Sequence, residues 1–143
     1  MRAKKLVISE YDKARLERKI EQVLTDAEVD DTNPELSYVH QLANEILRAR
    51  IVPPEKVPPD VVTMNSTVEL EDTESGREIT FTLAFPANSD PVSGKVSILA
   101  PVGLALLGSH EGDLVQWKAP NGMRKHRVRR IVYQPEAAGD MEK

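Results

Sequence analysis

Four acids crowd one short stretch of this chain, Asp26, Glu28, Asp30 and Asp31. Carboxylates gathered on a projecting turn hold a hard cation such as Mg²⁺ through oxygen ligands. Their spacing has no EF-hand pattern, and acids in a loop commonly do no more than solvate it. No metal site is assigned to them. The three histidines, His40, His110 and His126, lie far apart in sequence, and none has a neighbour at zinc-ligand spacing. There is no cysteine, which excludes disulfides, thiolate nucleophiles and Cys-ligated zinc or iron–sulfur centres. No serine sits in a G-x-S-x-G elbow, and no glycine-rich phosphate loop is present. With no catalytic constellation and no cofactor motif, the expected class is a non-enzyme that works through its surfaces.

The charge is uneven. Net charge is −4, yet residues 118 to 130 hold six bases, Lys118, Arg124, Lys125, Arg127, Arg129 and Arg130, whereas residues 61 to 110 hold two. Such a cluster either steers an acidic partner or forms the solvated face of a strand. The overall acidity argues against general binding to a phosphate backbone. At 143 residues, 40% hydrophobic and 29% charged, the chain suits one compact domain or a small domain with an appendage. No apolar run approaches the roughly 20 residues of a membrane span, and no signal core follows the basic N-terminus. A cytoplasmic protein is expected.

Residues 3 to 8 read as a short strand or an extended lead-in. Ser9 is an apt helix N-cap, with Asp12 three residues on as a weak capping-box partner. The stripe Leu16, Ile20, Val23, Ala27 predicts a helix from about Glu10 to Thr25. Asn33 and Pro34 start a second helix, to about Ala49, with the stripe Leu36, Val39, Leu42 or Ala43, Ile46 and Leu47. Two such helices pack as an antiparallel hairpin, a short coiled coil about 24 Å long. It occupies residues 1–52. Prolines 53, 54, 58 and 59 make residues 53–60 a stiff linker.

From residue 61 the apolar period becomes two. Val62, Met64, Val68 and Leu70 form one strand face, and Ile79, Phe81, Leu83 and Phe85 another. After a loop over 86–94, the stretch Lys95 to Gly108 is a strand that turns at Pro101 into a short apolar helix, with Gly108 just past its end. Leu114 to Lys118 and Met123 to Tyr133 complete a β-β-β-α-β-β order. The expected fold is α+β: a helical hairpin followed, over 61–143, by a five-stranded antiparallel sheet carrying one short helix. Leu99 is out of phase with the core face of its strand. Either it forms an exposed apolar patch with Ala100, Pro101 and Val102, or the 86–94 loop covers it.

Four words in this chain are long and irregular: V-V-T-M-N-S (61–66), A-P-V-G-L-A-L-L-G (100–108), E-G-D (111–113) and Y-Q-P-E-A-A-G-D (133–140). Through them the chain resembles the regulator of nucleoside diphosphate kinase family, relatives of the Gre transcript-cleavage factors. The resemblance implies an FKBP-like C-terminal domain and an N-terminal coiled-coil hairpin. It also implies a partner, RNA polymerase, bound at the rim of its secondary channel as a monomer, without sequence-specific nucleic-acid binding. In Gre relatives the positions matching Leu99, Ala100, Pro101 and Val102 help to bind a coiled coil of the β′ subunit. The polar pair that precedes the proline in Gre factors is Leu99 and Ala100 here, which favours an apolar contact. The long Gre coiled coil carries an acidic tip to the polymerase active site, and the present hairpin is much shorter. Competition with Gre factors without RNA cleavage is therefore the expected mechanism, together with a regulatory effect on nucleoside diphosphate kinase. The alternative is an FKBP-type prolyl isomerase or chaperone-like enzyme, which needs an aromatic pocket that Phe81, Phe85, Trp117 and Tyr133 would have to supply.

Overall fold

The structure is a computed structural model and describes residues 6–26, 34–120 and 122–139. Strand β1 (Val7–Ser9) runs into helix α1 (Glu10–Asp26), and helix α2 (Pro34–Leu47) runs back to strand β2 (Arg50–Val52). The two strands pair in parallel, Ile8 opposite Ile51. They staple the base of the helical hairpin. Ser9 caps α1 as its sequence position suggests, its Oγ accepting the Asp12 N–H at 3.0 Å. Asp12 does not return the bond, because its carboxyl is engaged elsewhere. On α1 Leu16 is buried and Ile20 and Val23 are half-buried, whereas on α2 Val39, Leu42 and Ile46 are buried. Leu47, expected in the same stripe, lies at the helix end and is 83% exposed.

Strands β3 (Thr67–Asp72), β4 (Glu78–Ala84), β5 (Lys95–Ser97), β6 (Leu114–Ala119) and β7 (Gly122–Tyr133) form one sheet in the order β5-β4-β3-β7-β6. Helix α3 (Pro101–Leu106) follows β5, and a single-turn helix α4 (Pro135–Ala138) follows β7. The sheet is mixed, which corrects the antiparallel expectation: β5 runs parallel to β4, with Leu83 opposite Val96. Pro86 and Pro91 each open a 3₁₀ turn in the connecting loop. Proline fixes φ and has no N–H for a ladder, so the loop coils instead of closing a hairpin and delivers β5 in the same direction as β4.

The first sheet strand also begins later than its alternation suggests. Residues 61–66 make a turn, closed by the Ser66 N–H donating to the Thr63 carbonyl at 3.0 Å, with Asn65 at φ +66°. Val61, Val62 and Met64 are buried all the same. Leu6, Ile8, Leu16, Val39, Leu42 and Ile46 join Val62, Met64, Val68, Leu70, Leu83 and Val128 in one contiguous core. The apolar cluster thus crosses the Pro-rich segment 53–60, where Pro54–Lys56 form a further 3₁₀ turn.

Candidate functional site

The bend from β5 into α3 is built from backbone hydrogen bonds and one glycine. The Ile98 N–H donates to the Ala84 carbonyl at 2.9 Å, fastening the strand end to β4. Ser97 then closes the bend twice: its Oγ accepts the Leu99 N–H and its carbonyl accepts the Ala100 N–H, both at 3.0 Å. Pro101 occupies the first turn of α3, where its missing N–H costs nothing. Gly103 lets the helix lie directly on the strand, since a Cβ there would run into the Ser97 carbonyl. Gly108, at φ +79°, ends the element, and a Cβ there would meet the Leu6 side chain.

Leu99 is 7% exposed and belongs to the core. The expectation that it forms an exposed apolar patch is therefore corrected. The bend after Ile98 rotates its side chain inward, so strand phase no longer describes it. Ala100, Pro101 and Val102 are half-buried and present a small apolar surface on a rigid support. Ala105, three residues beyond Val102 on the same helix face, is also half-buried and extends it. Sequence reading missed Ala105, although helical spacing from Val102 was a sufficient signal.

Of the hairpin-tip acids, Asp26 is the last residue of α1, and Glu28, Asp30 and Asp31 lie outside the described residues. Among the described residues no group of three or more His, Cys, Asp or Glu side chains is placed to hold a metal ion. The histidines remain apart: His40 is exposed on α2, His110 stands beside Asp113 at 3.7 Å, and His126 is buried on β7. The His126 ring stacks on Trp117, centroids 4.8 Å apart, and burial lowers its pKa.

The six bases of residues 118 to 130 are all exposed. Arg129 is paired with Glu71 and Glu78, Arg130 donates to Glu69 at 3.2 Å, and Arg127 donates to the Gly112 carbonyl at 3.0 Å. Half of the cluster is thus spent on the outer sheet face. Phe81 and Phe85, expected in the core, are only half-buried. The Arg15 guanidinium lies over Phe85 at 4.9 Å and over Tyr11 at 4.4 Å.

Arg15 leads to a polar cluster that sequence reading did not assemble. Asp12, 1% exposed, accepts from Arg15 at 2.7 Å through Oδ1 and from the Met64 N–H at 3.3 Å through Oδ2. One residue earlier, the Thr63 hydroxyl donates to Glu136 Oε1 at 2.7 Å. Ser66 Oγ accepts the Thr63 N–H at 2.9 Å and lies 2.8 Å from Thr63 Oγ1. Nearby, Gln134 Nε2 donates to the carbonyls of Pro58 and Val61, at 2.8 and 2.7 Å. The word at 61–66 and residues 133–139 of the last word therefore meet in space and clasp α1. Their length and irregularity were the available signal, since periodicity carries no information about such a contact.

A mixed sheet with a short apolar helix turned sharply onto it, preceded by a stapled helical hairpin, defines a class of protein that comparison makes explicit. Residues 57–133 match the family "Transcription elongation factor, GreA/GreB, C-term". A solved structure, "Prokaryotic transcription elongation factor GreA/GreB from Nitrosomonas europaea", superposes with a TM-score of 0.75 at 39% identity, covering 90% of this chain and all of that one. The GreA transcription elongation factor of Clostridium botulinum strain Hall is 33% identical over 106 residues, 71% of this chain and 66% of that protein. The regulator of nucleoside diphosphate kinase of Escherichia coli strain K12 is 37% identical over 136 residues, 94% of each chain. The chain belongs to the regulator of nucleoside diphosphate kinase family, within the Gre-type transcription factors.

Proposed function

We propose that this protein is an RNA polymerase-binding regulator that docks one copy at the rim of the secondary channel and excludes Gre-type factors without stimulating RNA cleavage. The observation that carries the reading is the apolar bend at residues 100–102 in a chain of this family: Ala100, Pro101 and Val102 are partly exposed, while Leu99, Ile98 and Gly103 support them from the core side. A preorganised apolar surface binds a helical partner at low entropic cost. A coiled coil of the polymerase β′ subunit is the partner assigned to it. Leu99 serves from beneath and does not touch the partner.

Helix α1 has 17 residues, about 25 Å of rise, and α2 has 14, about 21 Å. Arms of this length support occupancy of the entrance over reach into an active site. Any effect on nucleoside diphosphate kinase then follows from altered transcription. The FKBP-like description of the sheet and α3 belongs to the same reading and makes no demand for isomerase activity.

The test is binding of the full chain to core RNA polymerase, for wild type, Val102→Asp and Ala100→Glu, with and without a GreA competitor. Folding of each variant is checked by circular dichroism. A charge placed in a desolvated contact costs about 2 kcal/mol or more, roughly 30-fold in affinity. Loss of that size in folded variants, mutual exclusion with GreA and no stimulated cleavage are expected. Unchanged binding by both folded variants overturns the docking surface, and simultaneous binding with GreA overturns the competition.

A further inference from the structure

We infer that Glu136 is a protonated acid whose Oε2–H is donated to the Asp12 carboxylate, so that this carboxyl pair positions helix α1, and with it the helical hairpin, on the sheet. The hydrogen-bond pattern around the two carboxyls favours it. Thr63 has a single hydroxyl proton and gives it to Glu136 Oε1, so the 2.8 Å contact with Ser66 must be donated by Ser66. Glu136 Oε1 is therefore an acceptor. Both Asp12 oxygens are acceptors too, from Arg15 and from the Met64 N–H. That leaves Glu136 Oε2, which is buried and has no hydrogen-bond partner. The Asp12 and Glu136 side chains interact with each other, and their partners Met64 and Thr63 are adjacent in the chain. A proton on Oε2 satisfies the one remaining atom, and two facing carboxylates out of water would repel.

The groups around the pair agree with this placement. From α1 come Asp12 at the third helical position, where the helix N-terminus favours an anion, and Arg15. From the 63–66 turn come the Thr63 and Ser66 hydroxyls and the Met64 N–H, and from α4 comes Glu136 itself. Glu55 and Lys56, on the 3₁₀ turn packed against α4, are exposed and form no ion pair with either carboxyl. Burial pushes both carboxyls upward. For Asp12, Arg15 and the Met64 N–H pull back, whereas Asp12 pushes Glu136 further up. Because both Asp12 oxygens already accept hydrogen bonds, the proton is placed on Glu136. Above the ordinary carboxyl value of 4.5 the unfolded chain releases this proton while the folded chain keeps it. Stability from the pair is accordingly lost as pH rises through the raised value.

The test uses the full chain alone, so its outcome is independent of polymerase docking. Urea unfolding midpoints of wild type, Glu136→Gln and Glu136→Ala are compared between pH 5 and pH 9. Glutamine keeps an acceptor for Thr63 and a donor for Asp12 at every pH, so Glu136→Gln should gain on wild type as pH rises, with Glu136→Ala below Glu136→Gln throughout. A difference between wild type and Glu136→Gln that does not change with pH, or a Glu136→Gln midpoint as low as that of Glu136→Ala, overturns the inference. The carboxyl carbon of Glu136 in the wild type gives a second readout by NMR. Titration above 4.5 is expected, and titration at or below it sinks the shared proton even if a variant fails to fold.

Discussion

Leu99 and Val102 are three residues apart and do opposite work. Leu99 is nearly inaccessible within the core, whereas Val102 packs against that core and stays partly exposed. Truncating Leu99 to alanine should therefore cost about 2–5 kcal/mol of stability, the usual range for a buried leucine, with polymerase affinity falling only as far as folding does. Val102→Ala should change stability far less. Urea melts of the two variants check the contrast, and equal losses would mean that Val102 is a core residue. Gly103 is as constrained by its neighbours as Leu99. Alanine is the better helix former by roughly 1 kcal/mol, yet here its Cβ meets the Ser97 backbone, which cannot yield as a side-chain tip can. Gly103→Ala should destabilise by about 1–3 kcal/mol, measured as a fall in the unfolding midpoint. A stabilised variant would show that α3 can lift from its strand.

Among the elements, the helical hairpin is held at its base by β1 pairing with β2 and along its inner side by apolar burial and the Asp12 clasp. The Ser9 cap belongs to the first of these, since it fixes where strand gives way to helix. Ser9→Ala leaves the Asp12 N–H without its 3.0 Å partner and should cost about 1 kcal/mol, read as a lower thermal midpoint. An unchanged midpoint would mean that strand pairing alone sets the start of α1. By contrast, the ion pairs of Arg129 and Arg130 with Glu71, Glu78 and Glu69 lie on the exposed sheet face, where such pairs contribute about 1 kcal/mol or less. They fix the outer surface more than they stabilise the fold.

At the scale of the whole molecule, two buried titrations act in opposite senses. Glu136 loses its contribution as pH rises, as argued above. His126 is the converse case, because burial beside Trp117 lowers its pKa, with Arg124 adding to the effect and Asp72 opposing it. The unfolded imidazole takes up a proton near 6.5 while the folded one resists, so its contribution is complete above 6.5 and is lost as pH falls. NMR titration of His126 should give a value below 6.5, and Trp117→Ala, which opens the ring to water, should move it back towards 6.5. A His126 titrating above 6.5 would show that Asp72, not burial, governs it. The sequence by itself determined the two long helices and the order of the sheet strands and α3, because apolar periods of 3.6 and then 2, a serine cap and Pro101–Gly108 punctuation are local properties, whereas β2 and α4 carry no such period. It also determined the family, through four irregular words. Only the tertiary structure decided that β5 runs parallel to β4, that Leu99 turns inward, and that residues 61–66 and 133–139 close on Asp12. Strand direction, side-chain rotation at a bend and contacts between residues 52 or more positions apart depend on where the chain returns in space, and no local period encodes that.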